Sequence, residues 1–98
     1  MPKAIWGGVV LAETKHFGEV EGTIYFPPDS LNHKYFKENS EKTFCNWKGE
    51  ASYYDITVNG EVNEGAAWVY LAPMEAAEKI KGYVAFWKGI EVETEGTS

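Results

Sequence analysis

The Asn59-Gly60 dipeptide restricts the fold of this chain more than any other feature. The residues before it, 51–58, alternate so that Tyr54, Ile56 and Val58 share one face, as in a strand with one buried side. Asn-Gly supplies the two positive-φ positions that a two-residue hairpin turn needs. We therefore expect a β-hairpin whose second strand begins near Glu61.

Further segments have strand composition between turn-forming residues. In chain order they predict a hairpin over 4–12 turning at Gly7-Gly8, a single strand over 20–26 ended by Pro27-Pro28, a central strand over 66–71, and strands over 83–87 and 90–94. The run 66–71 is apolar almost throughout, which is typical of a strand covered on both faces. The chain is thus expected to be mainly β.

Helical signals are few. Pro73 and Gly82 bracket a segment in which Met74, Ala77 and Ile80 recur at helical spacing, so one short helix is expected near residues 73–81. A helical turn capped by Asp29 or Ser30 is expected to run to Tyr35. The polar residues 37–42 predict a loop, and the polar tail from Glu95 is expected to fray.

Length and composition limit the class of protein. A chain of 98 residues has room for one domain, taken here as 1–98, and 44% hydrophobic residues suffice for a core. The formal charge of −6, without a cluster of Lys or Arg, excludes nucleic acid as an expected partner. No apolar run is long enough to span a membrane, and the N-terminal residues lack a signal-peptide pattern, so a cytoplasmic location is expected.

Metal and cofactor chemistry have little support in the sequence. Cys45 is the only cysteine and is accompanied by only two histidines, His16 and His33, so the ligand pairs of a structural zinc site are missing. Both histidines lie in polar segments and are interpreted as surface residues. We expect neither a metal nor a cofactor, and the sequence does not indicate an oligomeric state.

Four segments together resemble one protein family. The most specific is Cys-x-Trp-Lys-Gly (45–49) followed by Ala-x-Tyr (51–53), and the others are Ile-Tyr-Phe-Pro (24–27), Ala-Ala-Trp-Val-Tyr-Leu-Ala-Pro (66–73) and Ile-Lys-Gly-Tyr-Val-Ala-Phe (80–86). Their order and spacing resemble those of the domain of unknown function 427 family (DUF427) over nearly the whole chain. The family usually has proline where this chain has Asn46.

The resemblance implies a compact fold of the β-tent (Mss4-like) type, with two antiparallel sheets that lean on each other. Related tents often hold zinc through paired cysteines, which this chain lacks. The family sometimes has a nucleotidyltransferase-like label, but the chain has no glycine-serine phosphate loop. Its carboxylate pairs, Glu19 with Glu21 and Glu91 with Glu93, are interpreted as solvated strand faces.

The segments Cys45–Tyr54 and Trp68–Pro73 contain the candidate site. If they are neighbouring strands, their aromatic and cationic side chains line a cleft suited to a small anionic or planar ligand. Gly49 beside Lys48 would let such a ligand approach the backbone. The predicted ligand-binding residues are Tyr25, Cys45, Trp47, Lys48, Tyr53, Trp68, Tyr70 and Lys81.

Two other functions stay open at this point. The first is an enzyme of unknown reaction that uses Cys45 or Tyr53 as the reacting group with Lys48 as electrostatic support. The second is a protein-interaction module that uses an open sheet edge or an exposed aromatic patch. Each single aromatic residue also has a simpler interpretation as a core residue, because Trp and Tyr bury large areas.

Overall fold

The computed structural model describes residues 1–94, and antiparallel β-strands dominate that part of the chain. The prediction that the tail frays from Glu95 onward therefore concerns residues outside the described range. The strands are β1 (Lys3–Trp6), β2 (Val9–Glu13), β3 (Gly18–Val20), β4 (Thr23–Tyr25), β5 (Phe36–Cys45), β6 (Gly49–Val58), β7 (Glu61–Val69), β8 (Val84–Phe86) and β9 (Glu91–Glu93).

Within residues 1–94 the strands form three sheets rather than the two expected. Their orders are β2-β1-β9, β3-β4 and β5-β6-β7-β8, and every pairing is antiparallel. A bridge between Phe26 and Val84 joins the end of the small β3-β4 sheet to β8, and a bridge between Ala12 and Leu31 ties down the segment after it. These bridges position the β3-β4 hairpin at the edge of the large sheet.

Both predicted glycine turns are confirmed. Asn59 and Gly60 have φ values of 51° and 82°, and β7 begins at Glu61 as expected. Gly7 and Gly8, at 60° and 78°, join β1 to β2. These dihedrals match the twist of antiparallel strands, which explains why the two dipeptides indicate hairpins so directly.

The single strand predicted over 20–26 is wrong. Glu21 and Gly22 have φ values of 54° and 80°, so the chain reverses there and the segment belongs to the β3-β4 hairpin. The alternation that suggested one strand hid a third two-residue turn, because Glu-Gly is a weaker turn signal than Asn-Gly.

The loop predicted over 37–42 is also wrong, because these residues lie within β5 at the edge of the large sheet. The strand is mostly exposed, so it has little apolar pattern for sequence reasoning to detect. Its pairing with β6 is irregular between Asn39 and Lys42, and Asn39 Nδ2 donates to Asp55 Oδ1 at 2.7 Å across this irregularity. Charges and a bulge are features that protect an edge strand from pairing with other chains.

The short helix expected near 73–81 is replaced by 3₁₀ turns over Glu75–Ile80. Ala77 has non-helical dihedrals that interrupt the segment. Ala77 and Ile80 are buried as predicted, whereas Met74 is 41% exposed. A stretch this short gains more from inserting two apolar side chains into the core than from regular helical hydrogen bonding. Shorter 3₁₀ turns cover Pro28–Ser30 and His33–Tyr35, in the region where a helical turn was expected.

The large sheet has apolar packing on both of its faces. On one face Ile56, Val69 and Phe86 pack with residues of the β2-β1-β9 sheet such as Leu11. On the other, a smaller cluster surrounds the buried Tyr25 of β4 and Ile80 of the 3₁₀ segment. The central position predicted for the apolar run at 66–71 is confirmed through Val69, because β7 lies between β6 and β8. The second, smaller cluster borders the candidate site.

Candidate functional site

The two segments that sequence reasoning singled out lie side by side. Tyr53 of β6 pairs with Trp68 of β7, and Ser52 pairs with Val69. Beyond the strands, the Met74 amide donates to the Lys48 carbonyl at 2.9 Å. Their contact thus extends from the middle of the sheet to the turn between β5 and β6.

A cleft of about 220 Å³ opens between these segments and the β3-β4 hairpin. We call it the Lys48 cleft and define it by its lining residues, which are Thr23, Tyr25, Lys48, Tyr53, Trp68, Tyr70 and Trp87. Lys48 is the only cation among them, and five of the other six are aromatic. The cleft therefore combines one positive charge with aromatic walls.

Lys48 is unusually well buried for a lysine, with a side chain that is 13% exposed. Its Nζ donates to Glu21 Oε1 at 2.8 Å and lies over the rings of Trp47 and Tyr70, at 5.0 and 5.9 Å from their centroids. Burial disfavours the charge, but the hydrogen bond to Glu21, with smaller electrostatic contributions from the Tyr70 and Tyr25 oxygens, outweighs this effect and raises the pKa of Lys48. Lys48 is consequently a fixed cation at neutral pH.

The aromatic walls have edge-to-face geometry. Trp68 stands nearly perpendicular to Tyr25, with 6.2 Å between ring centroids, and to Trp87, with 5.8 Å. Its indole Nε1 donates to the Tyr25 hydroxyl at 3.3 Å, while Trp87 Nε1 donates to the Gly65 carbonyl at 2.6 Å. Such contacts hold the rings in place, so the walls are already arranged before a ligand arrives.

Two tyrosines complete the lining of the cleft on the β6 and β7 side. The Tyr53 hydroxyl is 2.8 Å from Thr43 Oγ1, which couples this wall to β5. Tyr70 is only 5% exposed, and burial raises the pKa of its hydroxyl although nearby Lys48 opposes the shift. The Tyr70 phenol is therefore neutral, and the hydroxyl groups of both tyrosines can donate or accept a hydrogen bond.

Cys45 is half-buried at the end of β5, close to but outside the lining of the Lys48 cleft. Hydrogen bonds from the backbone N–H groups of Trp47 and Lys48 lower the pKa of its thiol, and the Lys48 charge adds to the effect. The sequence left open whether this cysteine is a buried hydrophobe or an activated thiol. Its environment in the turn lowers the pKa of the thiol, against the opposing effects of burial and of the Glu21 charge.

Three predicted features lie elsewhere. Trp47 is 39% exposed and covers Lys48 from outside the lining. Lys81 is an exposed residue at the end of the 3₁₀ segment and does not line the cleft. Gly49 is approached by the protein's own backbone, because a Cβ there would lie 3.3 Å from Met74 N and 3.4 Å from Pro73 Cα. The glycine allows two segments to meet, rather than a ligand to approach.

Sequence reasoning missed Thr23, Trp87 and Glu21. Thr23 and Trp87 line the cleft, and Glu21 is the ion-pair partner of Lys48. For Glu21, the available sequence signal was the Glu21-Gly22 dipeptide. Interpreting this dipeptide as a turn would have placed the Glu21 carboxylate at the tip of a hairpin. Nothing in the sequence links that hairpin to the turn that carries Lys48.

A larger hollow of about 410 Å³ adjoins the cleft and shares Tyr53 with it. Its walls include the carboxylates of Glu38 and Glu50 but only one lysine, Lys42. The Glu38 charge adds to the effect of burial in raising the pKa of Tyr54 there. This hollow is less favourable for an anion than the Lys48 cleft.

Residues 1–94 contain neither a cluster of potential metal ligands nor a membrane-spanning helix. Nowhere in that range do three or more His, Cys, Asp or Glu side chains come together as potential metal ligands. None of the helical segments described there has the length and hydropathy to cross a membrane. The histidines lie away from the cleft lining, and His33 Nε2 is 3.0 Å from the Pro28 carbonyl.

Fold and site together define a small, mainly β domain with an aromatic cleft around one buried lysine. A family model described as "Domain of unknown function (DUF427)" matches residues 3–96 of the 98. The chain belongs to this family, as the segments around Cys45–Gly49 and 66–73 predicted. No curated protein matches the chain.

Proposed function

We propose that this domain binds a small planar anion in the Lys48 cleft. The observation that supports this function is a lysine whose side chain is 13% exposed, positioned among aromatic rings and hydroxyl groups. A desolvated cation attracts an anion more strongly than an exposed one does, because water screens it less. The aromatic walls select flat ligands through their faces and edges.

The dimensions of the cleft limit the size of the ligand. A cavity of about 150 Å³ holds benzene, and clefts for drug-sized ligands begin at about 300 Å³. At about 220 Å³ the Lys48 cleft suits one substituted ring with a single acidic group. Hydroxyl groups of Thr23, Tyr53 and Tyr70 would pair with polar substituents on that ring.

Binding is favoured over a reaction at Cys45 because the lining offers no general base. Its only basic side chain is Lys48, whose pKa is raised, and burial also raises the pKa of the Tyr70 hydroxyl. A nucleophilic cysteine enzyme also needs a group that transfers protons to the leaving group. Neither histidine lines the cleft.

The test is a titration monitored by NMR through the four tryptophan indole N–H signals. Benzoate carries both a ring and a charge, whereas acetate lacks the ring and benzamide lacks the charge. We expect benzoate to shift the Trp68 and Trp87 signals at lower concentration than either of the others. The Trp6 signal, from outside the lining, serves as an internal reference.

A matched pair of variants identifies the cation. Lys48→Met keeps an unbranched side chain only one atom shorter and removes the charge. It should weaken benzoate binding at least about tenfold, the effect of losing one charged hydrogen bond. Lys34→Met is the control, because Lys34 also lies over an aromatic ring, at 5.2 Å from Tyr35, but lines no part of the cleft. Equal loss in both variants, or equal binding of all three probes, would refute the proposal.

We also propose a cytoplasmic location and a fold of the β-tent class for this protein. A half-exposed thiol in a lowered-pKa environment is better preserved in a reducing compartment. The bridge that joins the small hairpin to β8 supports sheets that lean on one another. Cell fractionation and a comparison of this topology with tent folds are the respective checks.

A further inference from the structure

Glu21 forms an ion pair with Lys48, and the exposed fraction of its side chain differs sharply from that of its partner. The Glu21 side chain is 58% exposed, against 13% for Lys48. We infer that the Glu21 carboxylate occupies the place of the ligand's acidic group and leaves Lys48 when the ligand binds. This inference rests on the proposed function and narrows the ligand class to planar carboxylates.

The contact itself shows which chemical group the site accepts. One carboxylate oxygen of Glu21 takes a hydrogen bond from Lys48 Nζ at 2.8 Å. A ligand carboxylate can make the same bond from the cleft side, where its ring also meets Trp68 and Tyr70. A carboxylate without a ring would replace the Glu21 carboxylate without the added contacts to Trp68 and Tyr70. The aromatic part of the ligand is therefore what makes its binding more favourable than the contact with Glu21.

Displacement of Glu21 has a low cost because of where the residue lies. It is at the tip of the β3-β4 hairpin, in a two-residue turn with Gly22, so its side chain can return to water without moving a strand. Glu21 also lines a separate open depression, together with Lys79. A carboxylate that leaves Lys48 for this depression thus meets a second lysine along its lining.

The Lys48 side chain, in contrast, is held in its position in the cleft. Its backbone carbonyl accepts the Met74 amide at 2.9 Å, and its ammonium group lies over the rings of Trp47 and Tyr70. The lysine is therefore the fixed member of the ion pair and Glu21 the exchangeable one. The wild-type affinity for an anion is reduced by competition from Glu21.

Two variants remove the competing carboxylate. Glu21→Gln keeps the shape of the side chain. Glu21→Asn shortens it and creates an Asn-Gly turn, which suits the positive φ at this position and so protects folding. Glu19→Gln is the matched control, because Glu19 is an exposed glutamate of the same hairpin. Its substitution changes the net charge of the protein by the same amount as Glu21→Gln does.

The measurement is the affinity for benzoate at constant ionic strength, followed by the Trp68 and Trp87 indole signals. Both Glu21 variants lack the carboxylate that competes for Lys48, so they should bind benzoate about fivefold more tightly. This factor corresponds to about 1 kcal/mol for the Glu21–Lys48 ion pair that the ligand must otherwise break. The control should change it less than about twofold. Tighter binding in both variants supports the displacement.

The two ideas fail in different ways. If wild-type protein binds benzoate and both Glu21 variants bind it more weakly, Glu21 positions Lys48 and the displacement is wrong, while the proposed function stands. Unchanged affinity in both variants also overturns the displacement. If neither wild type nor variants bind benzoate, the proposed function fails and the displacement with it.

Discussion

Replacing Gly49 by alanine tests how the two segments of the site are held together. Gly49 has a φ of +109°, and an added Cβ would lie 3.3 Å from Met74 N and 3.4 Å from Pro73 Cα. Both neighbours are backbone atoms, so they cannot rotate away as the end of a side chain would. The substitution therefore strains the backbone at position 49 and pushes against the Pro73–Met74 segment.

The expected loss has two parts. Holding a residue with a Cβ at such a φ costs about 1–3 kcal/mol, and the crowding against fixed atoms adds about 1 kcal/mol. Gly49→Ala should thus reduce the free energy of unfolding by about 2–4 kcal/mol, a large share of the roughly 5–15 kcal/mol that stabilises a small domain.

Gly60→Ala is the control, because Gly60 also has a positive φ, +82°, but a Cβ there meets no atom within 4 Å. Only the backbone cost of about 1–2 kcal/mol applies to it. Urea unfolding followed by tryptophan fluorescence measures both variants. A larger loss for Gly49→Ala than for Gly60→Ala supports the account. Equal losses would refute the idea that close approach of the two segments restricts position 49 to glycine.

Two further predictions follow from the hydrogen bonds of single residues. Asp55 Oδ1 accepts hydrogen bonds from Asn39 Nδ2 at 2.7 Å and from the Gly65 amide at 2.9 Å, so Asp55→Ala should lower the free energy of unfolding by about 2–4 kcal/mol. The control Glu61→Ala, on the exposed start of β7, should change that free energy by less than about 0.5 kcal/mol, and equally small effects of both substitutions would contradict the bridging role of Asp55. The thiol of Cys45 has a lowered pKa, so the pH profile of its alkylation by iodoacetamide should have a midpoint below that of free cysteine. Lys48→Met should retain most of this shift, because the backbone N–H groups are its larger cause. A Cys45 thiol that does not react with iodoacetamide up to pH 8 would contradict the assigned environment.

Sequence reasoning succeeded where local backbone demands are strong. Gly7-Gly8 and Asn59-Gly60 encode their turns directly, since few other dipeptides reach the required dihedrals. The apolar run around Val69 likewise indicated a strand buried on both faces. The candidate site assumed that the Cys45–Tyr54 and Trp68–Pro73 segments are neighbours, and the pairing of β6 with β7 confirms this.

It failed where tertiary contacts decide the conformation. The strand over 37–42 forms by pairing with β6 and by the Asn39–Asp55 hydrogen bond, neither of which has an apolar signature. The 3₁₀ turns near Ala77 replace a helix because packing of two side chains outweighs local propensity in so short a segment. The pairing of Glu21 with Lys48 joins residues 27 positions apart through two turns, and no local pattern encodes it.

A crystal structure of the protein with saturating benzoate tests the central claim most directly. The account predicts the carboxylate within hydrogen-bond distance of Lys48 Nζ, the ring against Trp68, and the Glu21 side chain turned into solvent. A ring bound in the neighbouring hollow beside Leu71, with Lys48 still paired to Glu21, would contradict it.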